Sequence, residues 1–419
     1  MNEPEKTVTS LDGLITAVSD RNVRRIVVKG EIAKAPSLRL NSGQQLLGEG
    51  KNAAISFLPG VDGLQLSMDN EISGLALRAG PEQRAIFNDT SVESLGRIVL
   101  NGLSTTGQVQ ILARQQVRGG HVSVRGLHVE DADARARKER PHGFGVDVLQ
   151  GAFTLYNLQP DDNVVITAEL LDISAGREGA PVRGSGVFVS GAGDTGGRVR
   201  VTRLETGAIF SDGKIPPGTA NLITGGVFLV YGAHADEVRN RGPVTTYGVN
   251  DMVLDNWGDA DRWIVEEKLT SHGPSGIGFV NFGTIDELRV RALIETFGLG
   301  ARGFNEYTGY IESAEFDRIV THADAGVGVQ ISRPVGRLII RRGIETNGGT
   351  GNSLVKGKIV QLAAYGLSVL PEGRLGELRV EGGIVTHGKD VPALQIQGEI
   401  GSFQINGGIR SAGMESAVH

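Results

Sequence analysis

A chain of 419 residues with 42 Lys and Arg against 48 Asp and Glu carries a net charge of -6, which gives no global pull toward nucleic acid or a membrane. It contains no cysteine, so disulfides and thiolate metal sites are excluded. No run of about 18 apolar residues offers a bilayer span, and the opening Met1-Asn2-Glu3-Pro4-Glu5-Lys6 lacks the apolar core of a signal peptide. With 62 Gly, few aromatics and short Val/Ile/Leu runs, the texture is that of one long repeat domain.

The first predicted element is a helix over residues 9–19, with Ser10 as N-cap and Leu11, Leu14, Ile15 and Val18 on one face. It reads as the lid of an N-terminal cap, residues 1–35, closing a stack that runs over 36–413 and leaves a tail at 414–419. Strand pairs follow at Leu75/Leu77, Val99 beside Leu100, Val122/Val124 and Val164/Ile166. Insertions are expected near 130–143, where the charged run Asp131 to Arg140 falls, and near 209–222, 249–263, 300–309 and 349–365.

From Thr246 onward a ruler emerges. An aliphatic residue precedes Thr or Ser by two positions, and Gly or Ala follows two later, at Thr246, Ser271, Thr296, Thr321, Thr346, Thr386 and Ser411. The steps are 25, 25, 25, 25, 40 and 25, the long one being a period plus a 15-residue insertion. A fixed period of this length marks a solenoid. The apolar file two before the hydroxyl is Val244, Leu269, Ile294, Ile319, Ile344, Ile384 and Ile409, with no polar member, so it faces inward. Eight and six before it stand Trp263/Val265, Leu288/Val290, Leu338/Ile340, Leu378/Val380 and Phe403/Ile405, alternating with polar residues as a half-buried strand does. A further wall is expected from Val146/Val148, Val187/Val189, Val227/Leu229, Ile277/Phe279, Val327/Val329, Leu367/Val369 and Leu394/Ile396. Gly248, Gly273, Gly298, Gly348, Gly388 and Gly413 suit corners of positive φ. Three short strands per coil of about 25 residues, all running the same way, describe an all-β, single-stranded, right-handed parallel β-helix.

The same ruler sorts outward positions. Seven and five before the hydroxyl come Arg239, Arg289 and Arg379, then Arg241, Glu266, Arg291, Arg341, Glu381 and Asn406. Guanidinium matches carboxylate, so this strip suits an acidic glycan; alternatively Arg and Glu simply neutralise each other on a solvated face. One after the hydroxyl stand Tyr247, His272, Phe297, His322, Asn347 and His387. These could bind sugars, with His272 and His322 as acid/base groups beside Glu295, or they could stack on one another at a corner. In the 249–263 segment, Asp251, Asp255, Asp259 and Asp261 could hold calcium or form a carboxylate pair; such acids are otherwise solvated turns. Trp257 lies off the strand register and is free to serve as a sugar platform, whereas Trp263 aligns with core positions.

The helix from Leu11 to Val18, then Arg25 to Ile32, Leu38 to Leu40 and Gly43 to Gly50, together with the rung pattern, resembles the opening of the pectate-lyase-like (pectin-lyase-fold) β-helix superfamily. The resemblance implies extracellular or periplasmic, often bacterial, proteins that act on or bind polysaccharides. The catalytic motifs of its subfamilies are only partly matched: Asp161-Asp162 and Ser271-His272-Gly273 are present, and Arg333-Pro334-Val335-Gly336-Arg337 has the wrong spacing for the pectate-lyase stretch. The expected function is therefore lyase, epimerase or hydrolase chemistry on a uronate-containing polysaccharide along an outward face. His272, His322 and Glu295 would be catalytic. Arg239, Arg241, Arg289, Arg291, Arg341, Tyr247, Phe297, Asn347, His387 and Trp257 would bind substrate. The residues name no definite cofactor, Ca could sit at Asp251 and Asp255 as weak candidates, and a homotrimer would suit the fold. The alternative is a non-catalytic structural or adhesive glycan-binding β-helix.

Overall fold

The computed structural model describes residues 4–355 and 358–415. The chain is mostly strand, in long all-parallel ladders that make a parallel β-solenoid. It divides into two compact units: one holds the residues up to Glu139, Gln150–Ala208 and Gly232–His234, the other Arg140–Leu149, Ile209–Tyr231 and the residues from Ala235 onward. No helix among the described residues is long and apolar enough to cross a membrane.

In the first unit, a helix spans Leu11–Ser19, and the Ser10 side chain accepts the Gly13 amide at 3.2 Å. Its buried face is Leu14, Ala17 and Val18; Ile15, expected inside, is exposed. The ladder starts earlier than expected. Strand Glu5–Val8 pairs in parallel with Arg25–Ala35, which pairs with Gln45–Phe57, so the predicted cap already contains coil. Farther along, Ile98 and Leu100, not Val99, face inward, because Val122 and Val124 pair with them and in turn with Ala168 and Leu170. A second ladder aligns Val109/Ile111, Phe153/Leu155 and Val187/Val189. Phe153 and Leu155 thus take the column position predicted for Val146/Val148.

In the second unit the ruler is the ladder itself. Val244 pairs with Leu269, Leu269 with Ile294, Ile294 with Ile319, Ile319 with Ile344, Ile344 with Ile384 and Ile384 with Ile409. All but the last are buried. Likewise Trp263, Leu288, Leu338 and Leu378 are buried, whereas Phe403 in the same file is 71% exposed and Ile409 is 50% exposed. Among the described residues no coil lies over these two. The threonines of the hydroxyl file are buried and donate to the corner backbone, Thr246 to the Asp251 carbonyl at 3.4 Å and Thr386 to the Val391 carbonyl at 2.9 Å, whereas the buried Ser271 hydroxyl has no partner among the described residues and the half-buried Ser411 hydroxyl accepts the Ala393 amide at 2.8 Å. The long step is an antiparallel hairpin, Thr350–Val355 with Lys358–Ala363, and Thr346 donates across it to the Ala364 carbonyl at 2.6 Å. The segments 249–263 and 300–309, expected to be loops, are built on strands Asp251–Asn256, Asp259–Val265 and Arg302–Glu306.

The corner glycines serve a purpose other than positive φ, and in the one coil where the corner is Ala323 a methyl is accommodated. None of Gly248, Gly273, Gly298, Gly348, Gly388 and Gly413 is left-handed; that conformation falls four residues after the hydroxyl, at Asn250, Ser275, Gly300, Ala325 and Asp390. What they provide is room. A Cβ on Gly273 would sit 1.7 Å from the Gly248 carbonyl oxygen, and one on Gly298 would sit 1.9 Å from that of Gly273.

Candidate functional site

Two groups of side chains in the second unit carry chemistry. The first is the corner file one position after the hydroxyl. Because consecutive corners are in register, the rings lie parallel: Tyr247 on His272 at 5.2 Å, His272 on Phe297 at 5.1 Å and Phe297 on His322 at 4.6 Å, tilted by only 6–11°. The faces of His272 and Phe297 are therefore covered on both sides by neighbouring rings, and only edges point outward. His322 Nε2 lies 2.9 Å from Glu295 Oε1, and Lys268 pairs with the other oxygen of the same carboxylate. Burial acts to raise the Glu295 pKa, but the hydrogen bonds and charges of Lys268 and His322 prevail and hold it below the usual range. Burial, with help from Lys268, lowers the His272 pKa. Farther along, Asn347 and His387 are exposed, with His387 Nε2 3.4 Å from Glu345.

The Arg strip is largely neutralised within the sheet. Arg239 bonds Glu237 at 3.0 Å and Glu266 at 2.8 Å, and Arg241 reaches Glu266 at 3.9 Å. Arg289 pairs with Glu287. Arg341 grips Glu315 bidentately at 3.0 and 3.1 Å and also meets Glu381, which Arg379 shares. Arg291 differs: it is exposed and has no ion pair among the described residues. Such exposed pairs are individually weak, but they occupy the donors that a substrate carboxylate would need.

The second group was only partly legible as a site. The hairpin His142–Gly143/Val146–Val148 turns through Phe144 and Gly145, both left-handed at φ 52 and 83. That is a two-residue turn in which Phe is an uncommon occupant of positive φ. Gly143 lets the hairpin approach Trp257, since a Cβ there would lie 2.8 Å from its ring. Phe144 consequently packs edge-on to Trp257 at 5.0 Å and stacks on Phe282 at 4.3 Å; Phe282 stacks on Tyr307 at 4.8 Å. Trp257 is 4% exposed, so it is a wall of this cluster and not a sugar platform. The signal for the cluster was present: Trp257, Phe282 and Tyr307 are spaced by the same 25 residues. Arg302, itself buried, fixes the Tyr307 hydroxyl at 2.5 Å and Ser353 of the long hairpin at 2.8 Å.

Beneath these rings lies Asp255. It is fully buried, neither carboxyl oxygen has a hydrogen bond, and burial pushes its pKa well above the ordinary carboxyl value. The Trp257 indole N–H opposes that shift but stops short of hydrogen-bonding geometry. One position on, Asn256 donates to Asn281 at 2.7 Å, and Asn281 donates to Glu306 at 2.9 Å, an amide ladder ending on a carboxyl whose pKa burial raises. Asp251 is also buried, its pKa pushed up to about 6 by desolvation although Thr224 Oγ1 and the Gly213 and Gly248 amides bond it. Asp251 is committed to its own corner and Asp255 to an apolar pocket. Neither presents the six to eight oxygens that calcium takes. No family model, no curated protein and no solved structure matches this chain.

Proposed function

We propose that the chain is a right-handed parallel β-helix of three strands per coil, in the manner of the pectate-lyase-like proteins, that binds an acidic polysaccharide without cleaving it. The observation that carries this reading is the saturation of the outward face. The ring faces of the corner file are used on one another, and Arg239, Arg289 and Arg341 are already paired. A lyase or epimerase uses cations at the uronate carboxylate to ease removal of the C5 proton, and in this strip Arg291 alone has no ion pair among the described residues. What remains outward is the exposed ring edges of the file, with the donors of His272 and His322 among them, and the Arg291 guanidinium at another position of the same coil, suited to shallow contact with a long anionic chain. The second reading, lyase, epimerase or hydrolase chemistry, is favoured by one feature, the 2.9 Å contact of His322 with Glu295, in which the carboxylate would orient an imidazole base.

Affinity electrophoresis against polygalacturonate, alginate and a neutral glucan, run alongside absorbance of unsaturated ends and a reducing-sugar assay, separates the two. Retardation by the acidic polymers with neither product is expected. Arg291→Ala, at an exposed residue with no ion pair among the described residues, should abolish retardation while shifting stability by no more than about 0.5 kcal/mol; His322→Ala should also abolish it, at a cost of about 1 kcal/mol for the lost bond to Glu295. Product formation that His322→Ala removes would establish the enzymatic reading, and indifference to every polymer would leave only a scaffold.

A further inference from the structure

The cluster over Asp255 has no part in the glycan reading, and its composition is specific. A pocket of about 50 Å³ lies there, with Phe144, Phe282, Tyr307, Met252, Ile277 and Asp255 among the residues that line it. Phe144, at 37% exposure, stands at its mouth. Apart from Asp255 and Asn250 the lining residues are aliphatic or aromatic. An ionised carboxylate only accepts hydrogen bonds, and in so apolar a setting it remains costly until a donor or a cation reaches it. Both Asp255 oxygens are left without one. The walls answer the same need from another direction, because the negative faces of aromatic rings attract a desolvated cation. We propose that this pocket binds a small organic ammonium, its N–H groups bonded to the Asp255 carboxylate and its alkyl stem held against Phe144, Phe282 and Tyr307.

Three features favour a cation over other occupants. A carboxylate ligand would bring a second negative charge beside a buried acid. A neutral alcohol gains only the apolar walls and one hydrogen bond. A metal ion would find a single carboxyl, where calcium or magnesium demands several oxygens. Position also matters: Phe144 is held over the opening by a two-residue turn in which its own backbone is left-handed. Such strain at a residue closing a pocket is characteristic of binding sites.

The test titrates the whole chain with n-butylammonium, 1-butanol and butanoate, three ligands of matched size, and follows emission from Trp257 beside the pocket. Saturable binding of butylammonium at least tenfold tighter than butanol, and no response to butanoate, is expected. Asp255→Asn should weaken butylammonium by at least tenfold with far-ultraviolet circular dichroism unchanged. Phe144→Ala, at the mouth, should weaken it several-fold and keeps the test decisive if the first variant does not fold. Equal affinity for butanol, binding of butanoate, no saturable response to any of the three, or unchanged butylammonium affinity in the folded variants would overturn the assignment. None of these results bears on acidic glycans, whose binding is read separately on Arg291 and His322.

Discussion

Replacing Gly298 by Ala tests why glycine occupies the corners. The added Cβ would meet three backbone atoms, the Gly273 oxygen at 1.9 Å, the Gly273 carbonyl carbon at 2.3 Å and the Pro274 nitrogen at 2.6 Å. No flexible side chain is among them, so relief requires the two coils to separate locally by about 1 Å or more to reach ordinary contact. The adjoining bond from the Phe297 amide to the Ser271 carbonyl, 2.9 Å long, would leave hydrogen-bonding range. Overpacking of about 1–3 kcal/mol and a broken ladder bond of about 1–3 kcal/mol give a cost of about 2–6 kcal/mol. The companion variant is Asp390→Gly, which places glycine at an exposed, left-handed residue of φ 56. There, relief of about 1–2 kcal/mol against about 0.5–1 kcal/mol of added chain entropy predicts a neutral to slightly stabilising change. Urea denaturation with amide exchange at Phe297 and His322 reads both. A Gly298→Ala chain with unaltered exchange and midpoint would refute the close-approach argument.

Other perturbations separate interior from surface and charge from burial. Ile294→Ala, in the buried file, should cost about 2–5 kcal/mol, whereas Phe403→Ala at the exposed end of its file should cost well under about 1 kcal/mol; similar losses would show that the exposure of Phe403 is wrong. Asp255→Asn should raise the urea midpoint at neutral pH. A folded-state pKa above the unfolded one contributes stability that is complete below the unfolded value and lost as pH rises through the folded one. The gain should therefore fade on acidification toward the ordinary carboxyl range, and a variant less stable than the parent at pH 7 would contradict the unpaired carboxyl. Glu295 has the opposite sign: its lowered pKa supplies stability above the ordinary value that is lost as pH falls through the folded one. Glu295→Gln should flatten the acid limb of the pH–stability curve, and an unchanged limb would place its ion pairs among those without net effect. His272, whose pKa burial depresses, should titrate by NMR below its ordinary 6.5 and cost stability as pH falls beneath that value; titration at or above it would deny the stacking.

The inward columns were legible because a solenoid repeats one environment at each turn, so the spacing of Val244 through Ile384 could be read without knowing what each residue touches. The corner file was legible for the same reason, and its rings do stack. Whether their faces were open to sugar was not, since a period gives adjacency and says nothing of which surface adjacency consumes. The Arg strip illustrates the same limit: Glu381 falls in the outward file by count, but Glu315, six before Thr321, counts as inward, and only a one-residue shift that pairs it with Arg289 brings it to Arg341.

Sequence alone fixed the ruler, the inward files, the site of the long insertion and the placement of Trp263 in the core, because each is a property of position modulo 25. Tertiary structure decided the rest. It assigned the corner glycines to close approach of carbonyls on neighbouring coils, moved Trp257 from the surface to a wall, and lowered Phe144 over Asp255. Those outcomes depend on segments far apart in the chain meeting side by side, and no period within either segment encodes where the other will lie.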